Sequence, residues 1–316
     1  MSFSQVVMLL FFSTTFSSYY FIFYILSSGK YVNERLFISS NSSFTACVNF
    51  HFSTQTINTD FHSNDNSDSP DNSIQGQSFV SQNCTRTSGT HTFIECSWDN
   101  EDSGQNGCGI YYVLSSPDST SSLTVRKCAF SNCHSSGSVA GGAIYACNIS
   151  SAYLYDSFFF QCSCGTSNYM EGGGVLLGCM QFQPFIRGCL FLCCTSPDDG
   201  AGYSVWYSNS ATACAIDSCR FIRCKGTDPS QSEGGGVILC SNTDFITCTN
   251  CLFCACEAQV QGGGIYLSCP SGATVTPITF CFFRENKSNA GRDVHLRVFP
   301  SDEEAIAHSF SSESAR

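Results

Sequence analysis

Residues 234–265 read GGGVILCSNTDFITCTNCLFCACEAQVQGGGI, with a glycine block at Gly234-Gly235-Gly236, an aromatic residue at Phe253 and a second glycine block at Gly262-Gly263-Gly264. The same phrase recurs along most of the chain. Its aromatic returns at Trp98, Phe130, Phe159, Phe191, Phe221, Phe253 and Phe283, at intervals of 32, 29, 32, 30, 32 and 30 residues. Between the aromatics lie Gly141-Gly142-Ala143-Ile144 and Gly172-Gly173-Gly174-Val175, and weaker copies at Gly107-Cys108-Gly109, Gly200-Ala201-Gly202 and Gly291-Arg292-Asp293. A fixed period of this size marks a solenoid, in which each repeat buries its apolar face only against its neighbours.

The runs after the glycines, such as Ile265-Tyr266-Leu267-Ser268-Cys269, and those before the aromatics are short, alternating or apolar, and rich in β-branched and aromatic residues. They read as strands. No repeat carries an apolar 3.6-residue period, which excludes leucine-rich, ankyrin and tetratricopeptide arrays. The expected fold is all-β: a right-handed parallel β-helix of about seven turns over residues 76–299. The recurring aromatic should form an inward ladder, and Gly173 and Gly235 should turn corners at positive φ. Length variation falls in segments such as SCGTSNYME and KGTDPSQSE, between the aromatic and the next glycine block. These are expected at one edge of the stack. No helix or Lys-Ser/Thr pair follows the glycines, so they do not form a phosphate-binding loop.

Charged residues are 12% of the 316, and Asp plus Glu (25) exceed Lys plus Arg (14), for a net charge of -11. That balance repels a phosphate backbone and argues against nucleic acid as a partner. Val6 to Leu26 is an uncharged run that reads as a secretory signal or a membrane anchor within residues 1–29, the competing reading being a first apolar element buried by the solenoid. Residues 30–75 form a polar N-terminal segment or cap, and 300–316 a polar tail. Sequons at Asn41, Asn83, Asn148 and Asn286 agree with export.

Gly-Gly-Ala-Ile at 141–144 and Phe-x-x-Asn at Phe283 to Asn286 resemble the repeats of chlamydial polymorphic outer-membrane proteins and of similar trichomonad surface proteins. In five other repeats Cys replaces the Asn. The resemblance covers residues 76 to about 299. It implies an extracellular or cell-surface β-helix for adhesion or display, with a protein or glycan on another cell as partner. Only residues 300–316 follow the last repeat, too few for a C-terminal membrane barrel of the bacterial kind.

Of the twenty-three cysteines, sixteen fall in three recurring sets: two before the aromatic (Cys96, Cys128, Cys189, Cys219, Cys251, Cys281), three after it (Cys133, Cys162, Cys194, Cys224, Cys256), and after the glycines (Cys84, Cys147, Cys179, Cys240, Cys269). Reduced core thiols are expected rather than a disulfide framework. Cys248, Cys251, Cys254 and Cys256 are dense enough for a metal, though Cys251 and Cys256 are ordinary ladder copies. His134 beside Cys133 is read as a surface His rather than half of a nucleophile pair. Glu171, Asp198, Asp199, Asp217, Asp228 and Glu233 suit either a solvated acidic edge or the carboxylates of a carbohydrate-active β-helix enzyme, and a structural spacer is a third reading. Tyr203, Trp206 and Tyr207 mark the one irregular turn, as a sugar platform or larger core filling. No catalytic, cofactor or metal residue is assigned.

Overall fold

The computed structural model describes Val6–Phe11, Ser18–Ser27, Lys30–Ser39 and residues 71–299, the last apart from 81–83, 87, 100–106, 137–139, 166–170, 179–183, 207–213, 241–245 and 271–277. Asn41, Asn83, Cys179, Tyr207 and the tail 300–316 therefore lie outside the described residues. The chain forms two units, Met1–Ile57 and Asn58–Arg316. In the first, Val6–Phe11, Ser18–Ser27 and Lys30–Ser39 make an antiparallel meander, with Val6 opposite Ile25 and Ser27 opposite Lys30. The apolar run Val6 to Leu26 thus supplies two strands. Among the described residues no helix is long and apolar enough to cross a membrane.

The second unit is a parallel β-solenoid. One rung consists of Ser151–Tyr155, Phe158–Phe160 and Val175–Gly178. Equivalent strands from successive rungs pair in parallel, giving a first sheet of seven strands, an aromatic sheet of eight and a glycine-led sheet of eight. A four-stranded ribbon of two-residue strands, from His134–Ser135 to Lys225–Gly226, runs beside them. The first described strand of the stack is Asp71–Gln75, which pairs with Thr90–Ile94.

Pairing is in register at every aromatic: Trp98 lies opposite Phe130, Phe130 opposite Phe159, and so on to Phe253 opposite Phe283. The rings stack nearly parallel, with centroids 4.4 Å apart for Trp98 and Phe130, 4.5 Å for Phe159 and Phe191, and 5.1 Å for Phe253 and Phe283. Trp98 and Phe130 to Phe253 are buried, each contributing about 1.5 to 3 kcal/mol by removal from water. One ring was missed by the sequence period. Phe79 stacks on Trp98 at 4.9 Å, but it lies only 19 positions before that Trp, because the rung it opens passes to its third strand, Cys84–Arg86, without a glycine block.

Three left-handed corners define a typical rung. They fall three residues before the aromatic (Glu95, Lys127, Asp156, Gly188, Ser218, Asn250, Phe280), two after it (Asn132, Gln161, Cys193, Arg223, Ala255, Glu285), and at the first residue of each glycine block. That first residue is Gly in all seven blocks, with φ between 54° and 68°. The expectation for Gly173 and Gly235 is corrected accordingly: the positive φ belongs to Gly172 and Gly234. Gly173 is constrained by a neighbour instead, since a Cβ there would lie 2.2 Å from the Thr195 carbonyl oxygen of the next rung.

Variable connections also lie at two corners rather than one. The segment between the glycine-led strand and the next rung runs from three residues (148–150) to eight (114–121). Chain can leave the stack at either end of the glycine-led strand, whereas the six residues from one left-handed corner across the aromatic to the next, as from Lys127 to Asn132, have fixed length.

Candidate functional site

The aromatic ladder and the sheet registers bring together two groups of chemically capable side chains. The first is acidic. Glu171, Asp198 and Asp199 place carboxylate oxygens within 4.8 Å of one another, and all three are buried, at 2%, 6% and 8% exposure. This corrects the solvated acidic edge. The acids sit in the connections that lead into glycine blocks, and these fold against the outer surface of the glycine-led sheet where Ser204 replaces the Leu176 and Ile238 of its neighbours. Ser204 Oγ donates to Glu171 Oε2 at 3.2 Å, and Trp206 Nε1 donates to Ser204 Oγ at 3.0 Å. The Glu233 amide donates to Asp199 Oδ1 at 2.7 Å, and Gln261 Nε2 donates to Glu233 Oε1 at 3.0 Å.

Burial, followed by the charges of Asp198, Glu171 and Glu233, pushes the Asp199 carboxyl well above the usual carboxylate range. Burial likewise raises Glu233, from 4.5 to about 7, against the opposing hydrogen bond from Tyr266 and the charge of Arg297. Burial beside other carboxyls thus favours the protonated form of Asp199. The other acids lie apart: Asp228 caps its own loop through Ser230, and Asp217 meets Arg187 at 3.3 Å. Tyr203 points into the core, fully buried, with no hydrogen-bond partner for its hydroxyl, so the irregular turn splits into a core-filling Tyr203 and an outer Trp206.

The second group is thiol-rich. Among the described residues no disulfide joins the cysteines. The set three after the aromatic packs as a buried ladder in which thiols donate to carbonyls of the preceding aromatic column, as Cys256 Sγ does to Phe221 O at 3.4 Å. In the last rung Asn286 takes this place: Oδ1 accepts from the Cys256 amide at 2.9 Å and Nδ2 donates to Phe253 O at 3.2 Å. At 1% exposure, the Asn286 sequon is a core element. The set after the glycines is no ladder, because Cys84 pairs with Ile110, Cys147 with Gly178 and Cys240 with Ser268.

Of the four densely spaced cysteines, the fold unites only two with a third from the next rung. Cys248, Cys251 and Cys281 have sulfurs within 4.8 Å of one another, with Cys248 and Cys281 at 3.7 Å. Cys254 belongs to the aromatic strand opposite Ile222, and Cys256 to the other ladder. Sequence density pointed to the neighbourhood; only the rung register could add Cys281. Cys133 is buried while His134 faces Ser163 on the ribbon, so they form no nucleophile pair.

No family model, curated protein or solved structure matches the chain.

Proposed function

We propose that the protein is an exported surface-recognition module whose solenoid presents variable connections to a protein or glycan on another cell. The observation that carries this reading is the confinement of length variation to the two ends of the glycine-led strand, while the aromatic sheet and its flanking corners keep fixed spacing. Loops on a rigid repeating frame diversify without refolding the core. The resemblance to polymorphic outer-membrane and trichomonad repeats agrees with it, as does delivery by the apolar run Val6 to Leu26, as signal or anchor. The low proportion of basic residues weighs against a nucleic-acid partner.

A carbohydrate-active enzyme is the second reading, favoured by Glu171, Asp198 and Asp199 beside Trp206. Against it stands their burial, since a general acid must reach the oxygen of the bond it cleaves. The test exchanges the connection between Cys224 and Gly234 for the shorter one between Cys256 and Gly262. Unchanged β-sheet circular dichroism with altered attachment to cells or arrayed glycans supports the recognition reading. Attachment that survives exchange of every connection overturns it, and polysaccharide cleavage lost in Asp199→Asn favours the enzyme.

A further inference from the structure

The first sheet carries one inward column, five residues before each aromatic, that is apolar through six rungs: Ile74, Phe93, Val125, Leu154, Ile186 and Ile216. The seventh member is Cys248, opposite Ile216. This replacement of a large apolar side chain by a thiol occurs where the column touches Cys251 and Cys281 of the neighbouring ladder. We propose that Cys248, Cys251 and Cys281 form a binding site for a thiophilic divalent d10 cation of the zinc type.

Several observations converge on that chemistry. Zinc-to-sulfur bonds of about 2.3 Å in a tetrahedral site put sulfurs about 3.8 Å apart. Cys248 and Cys281 already stand at 3.7 Å, and the third sulfur needs less than about 1 Å of rotamer adjustment from the 4.8 Å limit. The sulfur of Cys251 also accepts the Cys219 backbone amide at 3.4 Å, an outer hydrogen bond of the sort that stabilises a bound thiolate. Cys281 is partly exposed while Cys248 and Cys251 are buried, so the site has an entry side and a dry interior. On binding, three S–H bonds break and three protons leave to solvent. Three thiolates with a divalent ion leave one net negative charge in the interior, whereas a monovalent ion would leave two, and burying charge is costly. A disulfide between Cys248 and Cys281 is the competing fate of the pair. It requires the sulfurs to close to about 2.05 Å.

The experiment titrates cadmium, as a spectroscopic stand-in for zinc, into the full chain kept reduced and metal-free, reading the ultraviolet thiolate-to-metal charge-transfer band and bound metal per chain. The expected result is one ion per chain, displaceable by zinc. Cys248→Ile, which restores the residue type of Ile216 and so preserves the core, weakens binding at least about tenfold, as does Cys281→Ser. Cys254→Ser, adjacent in sequence but outside the cluster, leaves it unchanged. Absence of the band from the reduced wild-type chain, a band equally strong in folded Cys248→Ile, or a band removed by Cys254→Ser overturns the proposal.

Discussion

Gly172 and Gly188 share a φ of +66°, yet replacing each by Asn should have very different costs. The left-handed conformation alone is mild for Asn, about 1 kcal/mol or less. The corner of Gly188 demonstrates this, because Glu95, Lys127, Asp156, Ser218 and Asn250 occupy the same place in other rungs at similar φ. A Cβ on Gly188 would meet Asp156 Oδ1, the far end of a flexible side chain, which can swing away. On Gly172 it would lie 2.5 Å from the Val175 carbonyl oxygen and 2.7 Å from its carbon, both fixed by the glycine-led sheet. Relief requires moving backbone that pairs with two neighbouring rungs. We expect Gly188→Asn to change unfolding free energy by less than about 1 kcal/mol and Gly172→Asn to cost about 3 kcal/mol or more. Urea denaturation followed by circular dichroism measures both, with unchanged slopes required for the comparison. Equal costs for the two variants would refute the argument that a backbone carbonyl, rather than φ, reserves the first block position for glycine.

The remaining expectations concern the core, the acids and Asn286. Phe191→Ala, which removes a ring stacked on both Phe159 and Phe221, should cost about 3 to 5 kcal/mol, and Phe283→Ala, at a partly buried end of the ladder, distinctly less; denaturation midpoints compare them. Glu233 binds its proton more tightly folded than unfolded, so the stability it contributes is complete in acid and is lost as pH rises through about 7; the raised Asp199 carboxyl acts in the same direction. Glu233 alone should make the fold up to about 3 kcal/mol less stable at about pH 8 than at about pH 4. Glu233→Gln should flatten that dependence in a pH series of melts, and unchanged slope would remove the buried-acid account. Asn286 should stay unglycosylated in a eukaryotic secretory host when assayed by peptide mass spectrometry. Asn286→Ala should cost about 1 to 3 kcal/mol by leaving the Cys256 amide unpaired.

How far the sequence carries the fold can be judged from individual positions. The aromatic ladder was legible because stacking fixes both residue type and spacing, and each inward ring from Trp98 onward falls where the period places it. Phe79 was hidden by its short rung. The glycine corner was legible as a corner but misplaced by one residue, since Gly172 and Gly173 differ in φ and in what surrounds them, neither of which a run of identical letters reveals. The acids of 171, 198 and 199 look like loop residues in a polar context. Their burial arises from folding of the connections onto the glycine-led sheet at Ser204, a lateral contact with no sequence period. The Cys248 cluster depended on inter-rung register, which couples residues about 30 positions apart.

The central claim is that consecutive repeats stack as parallel, in-register rungs, and distances along one outer column test it most directly. Spin labels introduced as noncanonical residues at Ser131 and Ile222 are separated by three rungs, and those at Ser131 and Arg284 by five. At about 4.8 Å per rung, dipolar spectroscopy should give backbone separations near about 14 Å and about 24 Å, rising linearly with rung number. Distances that fail to increase with repeat number, or that match an antiparallel folding-back of the repeats, would contradict the solenoid.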